Sequence, residues 1–327
     1  MGQDANFALY GRNLFGDIIK PKTKGVLFDE FIFPPFSVLN ARDGYWQDRK
    51  RRWNSLGIKS EIGRGDELCY KTASANYDHC RVKEGTRKTT ERQGYTSIFD
   101  PVLCELMYTW FCPKSGQILD PFSGGSVRGI TASILGYKYW GCDLSKEQIV
   151  ANIEQAKKII NSREGNQPMP EFILGDALDK VIDAPRADFI FTCPPYGDLE
   201  KYTNDPKDLS NMELNEFINT YKRIIMNTCK RLKQDRFACF VVGDYRDKNG
   251  MYRNFVSKTI EGFVDCGLYL YNEAILVTCV GSASIRAKRQ FDSGRKLAKS
   301  HQNVLIFLKG DSKKAANCIR NKLPGVV

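Results

Sequence analysis

No apolar run in the 327 residues approaches the roughly 18 needed to cross a bilayer. The stretch from Met1 to Lys20 also lacks the apolar core and small-residue cleavage site of a signal peptide. A soluble, cytoplasmic protein is the expectation. None of the 11 cysteines belongs to a C-x-x-C pair, and their number is odd, so neither a zinc ribbon nor a disulfide framework is indicated. The 27 glycines and 13 prolines are too few for a collagen-like or low-complexity chain. Internal repeats and long Gly/Ser or Pro-rich linkers are also missing. What is present is a globular composition, 42% hydrophobic and 12% aromatic, long enough for two domains or for one large domain with an appendage.

Positive charge is in surplus, with 49 Lys and Arg against 38 Asp and Glu, and it is unevenly placed. Residues 1–95 carry 17 basic and 12 acidic groups, residues 96–249 carry 19 and 21, and residues 250–327 carry 13 and 5. A near-neutral centre between two basic ends suggests a polyanion-binding surface, because Lys and Arg displace counterions condensed on phosphates.

Residues 1–95 are the least regular part. Gly25 to Phe28 and Phe31-Ile32-Phe33 suggest short extended pieces, and Gln47 to Leu56 suggests a charged helix. From Thr96 a rhythm sets in. Pro101 to Trp110 predicts a helix with proline in its first turn. Short apolar strands then alternate with helices: strands at Gln117–Asp120, Tyr139–Asp143, Glu171–Leu174, Ala187–Thr192 and Phe237–Gly243, and helices at Val127–Leu135, Lys146–Ile160, Glu213–Leu232 and Arg253–Cys266. This alternation predicts an α/β fold, Rossmann-like and doubly wound, with a mostly parallel sheet. The last two apolar runs, Glu273–Val280 and Asn303–Lys309, have between them a polar basic stretch without an apolar helical face. Without a crossover helix they are expected to form an antiparallel hairpin.

Ligands of doubly wound sheets sit at the carboxyl ends of the strands. The first strand runs into Asp120-Pro121-Phe122-Ser123-Gly124-Gly125-Ser126, whose small residues let the backbone approach a ligand. The second ends at Asp143-Leu144, placing a carboxylate for ribose hydroxyls, and the third at Gly175-Asp176-Ala177, offering another polar contact. Each alone is also explained as a turn glycine or a capping Asp. Together they fit a nucleoside cofactor, and the absence of G-x-G-x-x-G disfavours a dinucleotide. The fourth strand leads into Cys193-Pro194-Pro195-Tyr196. Two prolines stiffen the chain and remove amide donors, leaving carbonyls to accept hydrogen bonds from an exocyclic amine, while Tyr196 offers a ring for stacking a flipped base.

These motifs resemble those of S-adenosylmethionine-dependent DNA amino-methyltransferases, which modify adenine N6 or cytosine N4. Asp120-Pro121-Phe122-Ser123-Gly124-Gly125 is similar to the family's cofactor loop, and Cys193-Pro194-Pro195-Tyr196 to its catalytic D/N/S-P-P-Y/F. The resemblance spans about residues 96–310 and implies S-adenosylmethionine as cofactor and duplex DNA with a flipped base as partner. It also implies cofactor contacts from Thr96, Asp120, Pro121, Phe122, Ser123, Gly124, Gly125, Asp143, Leu144, Asp176 and Ala177. Residues 1–95 resemble bacteriophage-encoded DNA methylases through Pro34 to Asn40 and Tyr45-Trp46, which implies a bacterial cytoplasm. They are expected to be an N-terminal extension, and residues 311–327 a basic tail.

One position departs from the family pattern. Cys193 is a weak acceptor where the family has Asp, Asn or Ser, so the Pro194 carbonyl is expected to carry more of the amine recognition. Adenine and cytosine both stay open, with adenine favoured as the family's commoner target. Three alternatives also remain: RNA as substrate, cytosine C5 chemistry through a Cys193 nucleophile, and an inactive methylase fold that binds nucleic acid. Phe33-Pro34-Pro35-Phe36 imitates the tetrapeptide of a permuted chain, but no acidic cofactor strand precedes it. Nucleic-acid contacts are expected from Arg286, Lys288, Arg289, Arg295, Lys296 and Lys299 between the last strands. A second cluster, Arg49, Lys50, Arg51 and Arg52 with Trp46 and Trp53, is able to contact phosphate and stack on bases, and a helix with a solvated basic face explains it equally well.

Overall fold

Strict alternation of side chains along the central strands divides the core in two. On β5 (Ala187–Thr192), Phe189 and Phe191 enter one cluster and Ile190 the other; on β6 (Leu232–Val242), Phe237, Cys239 and Val241 oppose Ala238, Phe240 and Val242. Period-two burial on both faces is the mark of a sheet covered on both sides by helices. The computed structural model describes residues 25–59, 99–163, 165–197, 205–278 and 283–320.

In chain order the elements are α1 (Val26–Phe31), β1 (Val38–Asn40), α2 (Gly44–Ser55), α3 (Pro101–Phe111), β2 (Gln117–Asp120), α4 (Val127–Ile134), β3 (Lys138–Asp143) and α5 (Lys146–Asn161). There follow β4 (Glu171–Leu174), α6 (Ala177–Lys180), β5, α7 (Leu214–Arg231), β6, α8 (Phe255–Val264), β7 (Tyr269–Val277), α9 (Ala283–Gly294), β8 (His301–Lys309) and α10 (Ser312–Ile319). The sheet order is β1-β7-β8-β6-β5-β2-β3-β4. Every neighbouring pair is parallel except those made by β8, which lies antiparallel between β6 and β7. The chain winds outward from β2 to β4 and returns to the other side of β2 with β5, so β2 and β5 flank the topological switch where loops diverge to opposite faces. Among the described residues no helix is long and apolar enough to cross a membrane.

Two local expectations are corrected. Residues 26–31 are helical, because Phe28 turns onto Phe33 and Tyr45 at ring distances of 5.4 and 5.2 Å, and this packing outweighs the local preference for extended chain. Between the last two strands the basic stretch contains α9. From Lys288 to Arg295 every residue is exposed, so this part of the helix has no buried face to leave a periodic signal.

The described part of the N-terminal extension is built into the main body. β1 pairs with β7 through Val38 to Ile275 and Asn40 to Val277. α2 packs on α3 and buries Trp46, Arg49 and Trp53 completely. Asp100 caps α3 through the Val102 amide and also accepts the Trp46 indole N–H at 3.2 Å. The start of the expected tail forms α10, with Ala315 and Ile319 buried.

Candidate active site

Asp120, the last residue of β2, is fully buried, and its oxygens serve four donors. Oδ1 accepts from the Thr192 hydroxyl at 2.5 Å and the Phe122 amide at 3.1 Å; Oδ2 accepts from Arg128 Nε at 2.5 Å and the Tyr139 hydroxyl at 2.7 Å. Burial opposes the Arg128 charge, but the Asp120 carboxylate outweighs it and keeps the guanidinium protonated. Arg128 also donates to the Phe122 carbonyl and lies 4.7 Å from the Phe99 ring centroid. Burial, reinforced by Asp120, pushes the Tyr139 phenol up, so it stays a donor. The Asp120 side chain thus joins β2, β3, α4 and β5.

The loop after β2 lies against the end of β3. The Ser123 amide donates to the Cys142 carbonyl at 2.9 Å, and the Gly124 amide to Asp143 Oδ2 at 3.0 Å. A Cβ on Gly141 would come within 2.8 Å of Ser123 Cβ, so glycine is what allows this approach. Gly124 holds φ +48, and its carbonyl accepts from Asn152 Nδ2 at 2.7 Å. Asn152 Oδ1 in turn accepts from Gln148 Nε2 at 2.9 Å, which places α5 behind the loop.

The groups at these strand ends fit an adenosine-like cofactor. Phe122, Gly124, Asp143, Leu144 and Asp176 are half-buried, while Pro121, Ser123, Gly125 and Ala177 are buried. Asp143 Oδ1 accepts the Ser145 amide and Asp176 Oδ1 the Leu178 amide at 2.9 Å each. These bonds fix each carboxylate at the end of its strand. Ser123 Oγ is buried with no hydrogen-bond partner among the described residues, a polar group that a bound ligand would satisfy. Thr96 lies outside the described residues.

Thr192, bound to Asp120, directly precedes the tetrapeptide. Pro194 is buried, and Cys193, Pro195 and Tyr196 are half-buried. The Tyr196 hydroxyl accepts from Gln302 Nε2 at 2.9 Å and lies 3.7 Å from Cys193 Sγ. Its ring meets Phe255 edge-on at 5.8 Å. Phe255 lies 5.1 Å from Tyr221, which lies 6.3 Å from Phe122. One aromatic chain therefore runs beneath the tetrapeptide to the loop after β2. Gln302, Arg128 and Asn152 complete the site, and no motif marks them in the sequence.

The basic residues separate into three groups. Arg49 is buried and bonds Glu105, with Nε 2.6 Å from Oε2, and the Trp53 indole N–H donates to the same oxygen at 2.9 Å. Arg49 is thus corrected from a nucleic-acid contact to a core ion pair, and Trp46 and Trp53 are buried out of reach of any base. Arg51 and Arg52 are exposed on α2, with Arg51 paired to Asp48. No described contact ties either to the tetrapeptide. Lys288, Arg289 and Arg295 are exposed on and just after α9; Arg286 belongs to α9, but its side chain lies outside the described set. Lys299 comes 3.5 Å from the place a Cβ would take on Gly243, at the end of β6. Burial lowers the Lys299 pKa against the pull of Asp244, and burial together with Lys299 lowers that of His301.

No protein-family model matches the chain, and no curated protein matches it. Among solved structures it is similar to TrmN from Thermus thermophilus at 16% identity and a TM-score of 0.43, over 64% of this chain and 49% of that one. The chain thus spans about half the length of that protein. Magnesium protoporphyrin IX methyltransferase (ChlM) from Synechocystis PCC 6803, solved with bound SAM, is 13% identical with a TM-score of 0.42, over 72% of this chain and 92% of that one. Precorrin-6y C5,15-methyltransferase from Geobacter metallireducens GS-15 is 12% identical with a TM-score of 0.41, over 68% and 93%.

Proposed function

We propose that the protein is an S-adenosylmethionine-dependent DNA methyltransferase acting on the exocyclic amine of a flipped base, adenine N6 ahead of cytosine N4. The observation that carries this reading is the double hold of Asp120 on Phe122 in the glycine loop and on Thr192 next to Cys193-Pro194-Pro195-Tyr196. The two motifs whose chemistry must meet are fixed to one carboxylate at the switch between β2 and β5.

When bound, S-adenosylmethionine supplies an activated methyl group, so the protein needs positioning and electrostatics more than bond-breaking chemistry. Asp143 and Asp176 would hold its hydroxyl and amino groups, Ser123 a further polar atom and Phe122 its apolar part. The Pro194 carbonyl accepts a hydrogen bond from the substrate amine, aided weakly by Cys193, and so would orient the nitrogen lone pair for attack on the activated methyl group; the proton that the amine loses on transfer would pass to water. Tyr196 stacks on the base, its ring fixed by Gln302 and Phe255. The exposed cations Lys288 and Arg289 of α9 hold phosphates; among the described residues the ion pair at this helix is Lys288 with Asp292.

Purified protein incubated with labelled S-adenosylmethionine and unmethylated duplex DNA should label the DNA, and digestion to nucleosides should yield N6-methyladenine or N4-methylcytosine. Tyr196→Ala should abolish transfer while cofactor binding persists. Absence of label in DNA of varied sequence would overturn the reading. Label in 5-methylcytosine would replace amine transfer with Cys193 chemistry, and preferential labelling of competing RNA would change the substrate class.

A further inference from the structure

After β6 the chain forms a short hairpin before α8, and its base is locked against the tetrapeptide. Tyr245 is buried, and its hydroxyl fills the space that a Cβ on Gly197 would need. Gly197 follows Tyr196 directly and adopts φ +55. The Tyr245 ring is 5.9 Å from Phe255, the same ring that meets Tyr196 edge-on.

The hairpin is braced along its length. Arg253 donates its amide to the Tyr245 carbonyl at 2.9 Å, Asp247 its amide to the Met251 carbonyl at 2.8 Å, and Met251 its amide to Asp247 Oδ1 at 2.9 Å. Arg246 bridges to Tyr252, donates to the Gly250 carbonyl at 2.8 Å and sits 3.9 Å over the Tyr252 ring. A loop so held presents its tip in a fixed direction. The turn itself is Lys248-Asn249-Gly250, and on the limb that returns from it Met251 is 66% exposed and Tyr252 43% exposed.

Cations surround these apolar groups. Lys248 and Arg253 belong to the hairpin, and Arg253 Nε is buried with no hydrogen-bond partner among the described residues. Lys296 arrives from beyond α9, its Nζ lying where a Cβ on Gly250 would be. Of the nearby carboxylates, Asp247 accepts the Met251 amide and interacts with Arg253, and Asp244 accepts the Val256 amide and interacts with Lys299, so the cations outnumber them at this face. A rigid hairpin that exposes apolar side chains next to a turn carrying Lys248, with Lys296 against Gly250 and its base packed against the glycine that follows a stacking tyrosine, has the layout of a duplex wedge. Apolar side chains enter between base steps, and the surrounding cations hold the flanking phosphates.

We infer that Met251, backed by Tyr252, enters duplex DNA in the space left by the extruded base, with Lys248, Arg253 and Lys296 on the neighbouring phosphates. The inference rests on the base-flipping reading above and names the element that holds the duplex open. A single strand needs no such wedge, since its bases are already free to leave the stack. The test compares methyl transfer to unmethylated duplex DNA with transfer to the same DNA after heat denaturation. In Met251→Ala/Tyr252→Ala the ratio of duplex to denatured transfer should fall about tenfold, equivalent to about 1.4 kcal/mol. Met251→Leu with Tyr252→Phe, which keeps the apolar surface, should restore the wild-type ratio. A ratio unchanged in the alanine variant, or one not restored by the conservative pair, would overturn the wedge while leaving amine methylation standing. Wild-type protein that labels neither DNA form would instead remove the reading beneath it.

Discussion

The two halves of the sheet's carboxyl edge handle charge in opposite ways. Around β2, β3 and β5, Asp120 and Arg128 are buried and saturated with partners. Beyond β6, the chain from Lys288 to Arg295 exposes every side chain and carries cations facing water. A buried ion pair contributes little net stability beside an apolar substitute, yet breaking it leaves an uncompensated charge. An exposed cation contributes almost nothing to folding and remains free to meet a polyanion. The first arrangement therefore fixes geometry, and the second supplies attraction. Positive charge in this chain has a meaning set by its spatial neighbours, as Arg49 and Arg51, two residues apart, demonstrate.

The contrast is broken most directly at Asp120. Asp120→Ala strands Arg128 in the core and should lower unfolding free energy by about 3–5 kcal/mol in urea titrations. Cofactor binding should disappear with it, because Phe122 and Thr192 no longer share an acceptor. A variant as stable as wild type would show that the network does not hold the two loops. At the boundary between the halves, Gln302→Leu removes the donor to Tyr196 and should reduce kcat/KM for DNA by about 1 kcal/mol, roughly fivefold, with cofactor affinity unchanged. If cofactor and DNA affinity fell equally, Gln302 would not be acting through the Tyr196 ring. The smallest effect on folding belongs to the exposed half. Lys288→Ala with Arg289→Ala should change stability by less than about 0.5 kcal/mol. The salt dependence of DNA binding should nevertheless flatten, its logarithmic slope falling by roughly one for each phosphate that is no longer neutralised. An unaltered salt slope would take α9 off the DNA.

The strands are the most legible part of the chain. Gln117–Asp120, Glu171–Leu174 and Ala187–Thr192 have in the structure the boundaries that the sequence predicts, because buried parallel strands are short apolar runs closed by turn residues. The sharp ends follow from the chemistry of the next residue, as with Asp176 capping α6. The helix α9 is illegible for the reverse reason: from Lys288 onward its residues are exposed and polar apart from Phe291, which leaves periodicity little to detect. Arg49 carries a signal that its immediate neighbours obscure. Trp46, Arg49 and Trp53 are spaced by three and four residues, which puts them on one helical face, and that face is buried. Treating Arg49 to Arg52 as a run along the sequence mixes buried and exposed positions. At the site, residues at strand ends are visible because they sit in motifs, whereas Gln302, Asn152 and Arg128 act from neighbouring elements that no local spacing connects to them.

β1 has a consequence for where the protein begins as a folded unit. Its three residues cover the backbone of Ile275 to Val277 on the outer side of β7, and Leu39 is buried there. An uncovered strand end of this kind offers unpaired amides and carbonyls to any other extended chain, a common origin of aggregation. Motif comparison starts the domain at residue 96, but the smallest piece that shields this end of β7 must start before Val38. The segment that carries least of the chemistry serves as the selvage of the sheet, the finished border that keeps a woven edge from unravelling.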